Sequence, residues 1–442
     1  MKLHRKVSRL KLPHNKHTAG IASTPVPTPP EVLLPMSMHS GAAAEPVVSV
    51  GDHVYLGQLI AQEGGAISAP VHATVSGTVS AIAPITLSNG RTVDAIRIQS
   101  DGKMEKDPSL QPPDVHDLDS FLDAVRASGI VGLGGAAFPL WKKLEAVRTN
   151  VVKTVMVNGA ECEPYITSDH RTMLERTELI VKGVEILRQY MKAEEFIFGI
   201  ENNKQDAIAH LRQTFANDPS VKIMDMESVY PQGARQVLLY NATGKMVKPG
   251  QRLASLGVIV INITSLAKLA QYFEDGMPLV TRCITVDGAA VAKPGNYIAP
   301  IGTSVGYLIE QAGGFACKPG KVLLGGPMMG WSVKTLEEPI VKVTGAVLAF
   351  SEQEAKLTEP TACLRCGRCV ENCPIGLNPP AIARAMEIED EDERLAALEK
   401  CNIRNCLECG CCAYVCPAHR PLIETNRAGL RIAKSAKRGG GK

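Results

Sequence analysis

Aromatic side chains are scarce in this chain: eight Phe, nine Tyr and two Trp make up 4% of 442 residues. Single-stranded nucleic acid is held on stacked rings, so few platforms of that kind are available. The formal net charge is only +3, and no nucleic-acid partner is expected. Long apolar runs are also missing. The best stretch, 256–263, contains Asn262 and falls well short of the roughly 18 residues of a spanning helix. The start is basic (Lys2, Arg5, Lys6, Arg9, Lys11) but has no apolar core, so no secretory leader is expected. Thirteen cysteines are an odd number for a disulfide framework, and ten of them crowd between 363 and 416, which points to a reducing compartment.

Those ten cysteines carry the strongest chemical signal. Cys363, Cys366, Cys369 and Cys373 form C-x2-C-x2-C-x3-C before Pro374, and Cys406, Cys409, Cys412 and Cys416 repeat it before Pro417. In ferredoxin-type runs three thiolates wrap one cubane and the fourth reaches the other. Two [4Fe–4S] clusters are therefore expected, one on Cys363, Cys366, Cys369 and Cys416, the other on Cys406, Cys409, Cys412 and Cys373. Zinc favours CxxC pairs but needs neither the third cysteine nor the proline. Cys401 and Cys411 fall outside the pattern, and Cys162, Cys283 and Cys317 are isolated.

Upstream, the pattern changes several times. Residues 1–30 end in a proline-rich segment and read as an extended arm. From 31 to 100, short β-branched runs broken by glycine look like the barrel-sandwich of biotinyl and lipoyl carriers. The matching hairpin, 68–76, has no lysine to modify, which favours a structural module. From 113 to 276, strands near 152–158, 195–200, 221–224 and 257–262 alternate with helices near 118–128, 172–190, 204–216 and 265–274. That alternation predicts a three-layer α/β domain. A small strand-rich α/β unit follows over 277–350. The cluster segment, 355–425, has an acidic helical spacer over 380–400, and a basic tail follows from 426 to 442. That tail suits a membrane surface or an acidic protein partner, or else serves only for solubility.

The α/β domain offers a ligand site. The loop Gly132-Leu133-Gly134-Gly135-Ala136-Ala137-Phe138-Pro139, followed by Lys142 and Lys143, lets backbone N–H groups approach a phosphate. Its spacing matches neither a dinucleotide fingerprint nor a P-loop. Asn158-Gly159-Ala160-Glu161-Cys162-Glu163, the Tyr230-Pro231-Gln232-Gly233 turn, and Asn262 with Ser265 all fall at strand ends, where ligands of open α/β sheets gather. A mononucleotide is implied. Since a nicotinamide gives two electrons and a cubane takes one, a flavin is the natural intermediary.

On these motifs, together with Gly325-Gly326-Pro327-Met328-Met329-Gly330, residues 30–425 resemble the RnfC-type (RsxC-type) subunit of the Rnf (Rsx) ion-translocating oxidoreductases. Through it they resemble the flavin-bearing, NADH-binding subunit of respiratory complex I. The resemblance implies FMN, NAD(H) as substrate and two [4Fe–4S] clusters, in a peripheral subunit on the cytoplasmic face of the bacterial inner membrane. Its partners would be integral-membrane and flavoprotein subunits, with ferredoxin reached indirectly. It implies a multidomain α/β fold: barrel-sandwich, flavin domain, β-grasp-type (SLBB-like) domain and helical double-cluster domain. Carried over by residue, Gly132, Gly134 and Gly135 line the FMN phosphate and ribityl chain with Lys143 beside them. Asn158 and Glu161 hydrogen-bond the flavin, Glu163 approaches the nicotinamide, and Phe138 stacks near the adenine. Tyr230, Gly233 and Asn262 complete the pocket. The chain departs from the complex I pattern at Leu133, Ala160, Ala234 and Arg235, where arginine, aspartate and two glutamates are expected. Two other readings remain at this stage: a cluster-only relay with an empty pocket, and a soluble iron–sulfur flavin dehydrogenase.

Overall fold

The computed structural model describes residues 10–248 and 250–439. The basic residues before position 10 and after 439 lie outside the described residues. The first domain is a curled pair of sheets. Glu31–Pro35, Thr92–Ser100, Gly77–Thr86 and His53–Val54 form one antiparallel sheet, and Glu45–Pro46, Leu59–Gln62 and Val71–His72 form the other. Val32, Leu34, Val54, Ile60, Val71, Val79, Ile96 and Ile98 close its interior, as strand alternation requires. Ser68 occupies the hairpin where a carrier domain presents its lysine; it is buried and bonded to His39.

The α/β domain has four parallel strands in the spatial order Val221–Met226, Glu195–Glu201, Thr154–Gly159, Val258–Asn262. The first three in sequence step one way across the sheet, and the fourth returns to the other side of Thr154–Gly159. That reversal makes a crevice between the carboxyl ends of Thr154–Gly159 and Val258–Asn262. Alternate residues feed two cores: Val155, Val157, Phe196, Phe198 and Ile261 pack on one face, Met156, Ile197, Leu238 and Leu239 on the other. Three layers result. The single helix expected near 172–190 is two, Ser168–Glu175 and Thr177–Met191, because Arg176 leaves helical geometry at φ −128°, ψ 31°. Likewise the acidic spacer divides into Pro379–Met386 and Glu391–Lys400, the second capped by Asp390.

The third domain is built on a six-stranded sheet ordered Ser23–Pro25, Gly295–Pro300, Thr281–Asp287, Ala346–Ser351, Pro319–Leu324, Trp331–Ser332. The N-terminal arm thus supplies an edge strand, parallel to Gly295–Pro300. The cluster domain ends in the helix Leu422–Gly439, so most of the expected basic tail is helical. Leu422, Ile423, Leu430 and Ala433 face its core while Arg431 and Lys434 look outward. No helix among the described residues is long and apolar enough to cross a membrane.

Candidate functional site

At the crevice, Asn158 and Asn262 are paired neighbours on adjacent strands. Asn262 also caps the helix Ile263–Asp275, its Oδ1 accepting from Ser265 N at 3.1 Å. Its amide Nδ2 donates to Asp169 at 2.6 Å, a partner with no motif of its own in the sequence. The glycine loop lies over this helix start, tied down by Leu133 N donating to the Ser265 hydroxyl at 3.0 Å. A Cβ on Gly134 would sit 3.1 Å from Asn262 Nδ2, so the loop backbone approaches closer than most side chains permit. Gly134, Gly135 and Ala136 are exposed, and Phe138 is half-buried, its carbonyl accepting from Gly132 N.

One cation lies beside the loop and a second is close enough to act on it. Lys143 Nζ donates to the Val260 carbonyl at 3.0 Å, 3.6 Å from where a Gly132 Cβ would stand. Burial, with repulsion from Arg235 second, pulls its pKa down to about 8. Arg235 opens the helix Arg235–Thr243, which has no side-chain cap. Uncapped N–H groups, a lysine and an arginine are a donor set for phosphate. A glycine cradle beside two strand-end asparagines therefore fits a flavin mononucleotide. The first domain contributes as well, because Ser40 N donates to the Ala137 carbonyl and its hydroxyl to that of Ala136. No sequence motif signalled Ser40.

Both glutamates accept hydrogen bonds from backbone N–H groups of the protein itself. Glu161, expected to bond flavin, spends its carboxylate on the N–H groups of Asp169 (2.6 Å) and His170 (3.1 Å), capping Ser168–Glu175. Burial raises its pKa to about 7. Glu163, expected at the nicotinamide, turns toward the third domain instead. It accepts from Met328 N at 3.0 Å and lies 3.4 Å from the Tyr230 hydroxyl oxygen, and burial raises its pKa to about 7. The physical reason is supply: the start of Ser168–Glu175 and the turn at Met328 present N–H groups without backbone partners, and a carboxylate at hand satisfies them. Gly326 is required by this contact, since a Cβ there would fall 2.2 Å from Glu163 Oε2. Gly326→Ala is expected to destabilise the junction by roughly 1–3 kcal/mol. Gly345→Ala, whose Cβ would meet nothing closer than 3.6 Å, should be neutral. Thermal unfolding checks the pair, and equal midpoints for the two variants would refute the steric account.

Tyr230 is the hinge of the arrangement. Its hydroxyl donates to the Cys409 carbonyl at 2.8 Å, while three residues on the Gly233 carbonyl accepts from Asn158 Nδ2 at 2.9 Å. One short turn thus touches both the crevice and a cysteine run. Cys162 fills the space beneath, accepting from Gly233 N at 3.5 Å.

The cysteines divide across their runs. Cys373 lines one apolar cavity with Cys406, Cys409, Cys411 and Cys412. Donors surround these sulfurs: Leu377 N to Cys373 at 3.2 Å, Glu408 N to Cys406 at 3.4 Å, and Asn426 Nδ2 to Cys412 at 3.7 Å. Four of these five thiols, Cys373, Cys406, Cys409 and Cys412, sit in an apolar nest ringed by N–H groups and fit a cubane, whose sulfurs accept such bonds. Among the described residues no three His, Cys, Asp or Glu side chains close tightly enough for a single metal ion. Cys411 is buried against Tyr230 and Leu12, and its thiol donates to Cys409, holding that group below its ordinary pKa. The other set lies nearer the surface: Cys363 and Cys366 are exposed and Cys416 borders a surface cleft with Leu10, Arg368, Tyr414 and His419, while Cys369 is buried against Cys412 and Leu422. Arg427 joins the cluster domain to the third domain, stacking 4.2 Å from the Trp331 ring and donating to the Met329 carbonyl at 2.7 Å.

Four families match successive segments: an RnfC barrel sandwich hybrid domain at 9–103, a Nuo51 FMN-binding domain at 125–271, an SLBB domain at 283–332 and a 4Fe–4S dicluster domain at 355–417. Among curated proteins, the C subunit of the Na(+)-translocating ferredoxin:NAD(+) oxidoreductase complex of Acetobacterium woodii is 39% identical over 80% of this chain and 81% of that one. Its counterpart in the proton-translocating ferredoxin:NAD(+) oxidoreductase complex of Clostridium ljungdahlii is 36% identical, covering 83% and 81%. The counterpart in the ion-translocating oxidoreductase complex of Rhodobacter capsulatus is 38% identical, covering 83% and 72%. Among solved structures, an air-oxidized NAD+-reducing [NiFe]-hydrogenase shares the fold, with a TM-score of 0.52 at 20% identity over 74% of this chain and 67% of that one.

Proposed function

The chain belongs to the RnfC family of ion-translocating oxidoreductase subunits, and from that premise we propose an electron path and the residues that define it. It is a redox-active member of a multisubunit complex, and its chemistry links NAD(H), FMN and two [4Fe–4S] clusters. Bound FMN supplies the exchange between a two-electron nicotinamide and one-electron centres. In the proposed path, Gly132, Gly134 and Gly135 cradle the flavin's phosphate end beside Lys143 and Arg235, while Asn158, Gly233 and Asn262 face its ring. The exposed edge at Gly134 and Gly135 admits the dinucleotide, with half-buried Phe138 at its adenine end. The buried cysteine set, Cys406, Cys409, Cys412 and Cys373, is the proximal centre. The peripheral set, Cys363, Cys366, Cys369 and Cys416, is the distal centre that meets a partner. Integral-membrane and flavoprotein subunits, ferredoxin-linked exchange and a cytoplasmic-face position are the corresponding proposals for its surroundings.

The observation that carries this order is the Tyr230–Gly233 turn, bonded at one end to Cys409 and at the other to Asn158. Buried contact is where short tunnelling distances are kept, and exposure suits the centre that must reach another protein. The test is anaerobic isolation of the full chain with cofactor release. One flavin per chain, with iron and sulfide for two four-iron clusters, is expected. No flavin after careful reconstitution would leave the cluster-only relay standing.

A further inference from the structure

The loop 160–166 joins the crevice to the proximal cysteines, and its backbone is arranged against ordinary preference. Glu161 and Tyr165 both adopt left-handed conformations, at φ 39° and 71°, without being glycine. The carbonyls of Glu161, Glu163 and Ile166 all converge on one point. Bare carbonyl dipoles aimed together repel one another, so something positive has to stand among them. That group is the ammonium of Lys16, which donates to all three, at 2.9 Å to Glu161 and 2.8 Å to Glu163. Three N–H donors meet three acceptors, which saturates the group. A second lysine, Lys204, holds the Ala160 carbonyl at 3.1 Å and pairs with Glu201.

Lys16 comes from the arm, more than 140 residues away in sequence, and the arm is itself anchored on both sides of the loop. Leu10 forms a β-bridge with Tyr230, and Leu12 packs on Tyr230 and Cys411. The His14 carbonyl accepts from Tyr165 N at 3.0 Å, and the Thr18 and Thr167 hydroxyls meet at 2.6 Å. The arm therefore grips the loop, the turn that reaches Cys409 and the thiol beside that cysteine. Burial, with Lys204 adding to it, pulls the Lys16 pKa down to about 8.

We propose that the N-terminal arm is a built-in strap and Lys16 its internal cation, a positioning residue that fixes loop 160–166 and with it the gap between the flavin crevice and the proximal cysteine nest. The consequence for electron transfer rests on the path proposed above; the consequence for the loop does not.

The experiment is amide hydrogen exchange across 160–167 in the full chain as isolated, clusters in place. In Lys16→Ala, loss of the charged hydrogen bonds is expected to accelerate exchange there about ten-fold or more. n-Propylammonium, which replaces the missing stem and charge, should restore most of the protection, and propanol should not. Lys16→Met keeps the stem without the charge; it should show the same acceleration with no rescue, and it remains readable if the alanine variant folds poorly. In both variants transfer from flavin to the proximal centre should slow while bound flavin is retained. Unchanged exchange in both variants, or acceleration in the alanine variant that propylammonium does not relieve, would overturn the cation's role. Normal loop behaviour combined with missing flavin would instead count against the path.

Discussion

Replacing Cys373 with serine is expected to erase the signal of the centre held by Cys406, Cys409 and Cys412, although Cys373 belongs to the other run. The thiol lines their cavity, and Leu377 N bonds its sulfur there. The reciprocal variant, Cys416→Ser, should alter only the peripheral centre of Cys363, Cys366 and Cys369. The functional effects then differ in kind. Without the proximal centre, flavin reduced by NADH has no outlet and transfer to an external acceptor falls to background. Without the distal centre, flavin and proximal centre still equilibrate, and only delivery to the partner stops. Cluster-resolved electron paramagnetic resonance with stopped-flow reduction reads both. If each variant damaged the centre of its own run, the crossed arrangement and the order of the path would both fail.

Lys143→Met is expected to weaken FMN binding about ten- to a hundred-fold, the worth of about 1.5–3 kcal/mol for hydrogen bonds to a charged group. The same residue predicts a pH profile. Its folded pKa lies near 8, below the ordinary 10.5, because burial and Arg235 disfavour the charge. The attractive ammonium is therefore present below about pH 8 and is lost as pH rises through it, so FMN affinity in the wild-type protein should fall across that window. A bound phosphate favours the charged form, so the loaded protein keeps the proton to higher pH. Flavin fluorescence titrations over pH 6.5–9.5 (an interval of about 1.5 units either side of that value) provide the check. An unchanged affinity in Lys143→Met, or a profile that this variant does not flatten, would remove the lysine from the phosphate site.

How much of this was legible in the sequence differs by region. The strands of the α/β domain were readable because each is a short β-branched run bounded by polar residues. The helix break at Arg176 was not, because the apolar periodicity passes through it uninterrupted. Asn158, Asn262 and the glycine loop could be gathered from strand ends alone. Glu161 and Glu163 could not be oriented, since a carboxylate after a strand serves a ligand or an orphan N–H equally well, and the helix start and Met328 loop that they bond are distant in sequence or carry no motif. The cysteine spacing indicated two cubanes, while the proposed division into a proximal and a distal centre rests on the packing of Tyr230, Cys411 and Leu12.

Sequence by itself determined the chemistry, because thiolate spacing, glycine loops and strand periods are local properties that residue types impose on a few neighbours. Tertiary structure alone decided the geometry of the wire. The sheet order places the crevice, and the Tyr230 turn bridges it to one cysteine set. An arm that reads only as extended chain delivers Lys16 to carbonyls over 140 residues away. Contacts at such separations depend on which surfaces meet after folding, and no local pattern encodes that.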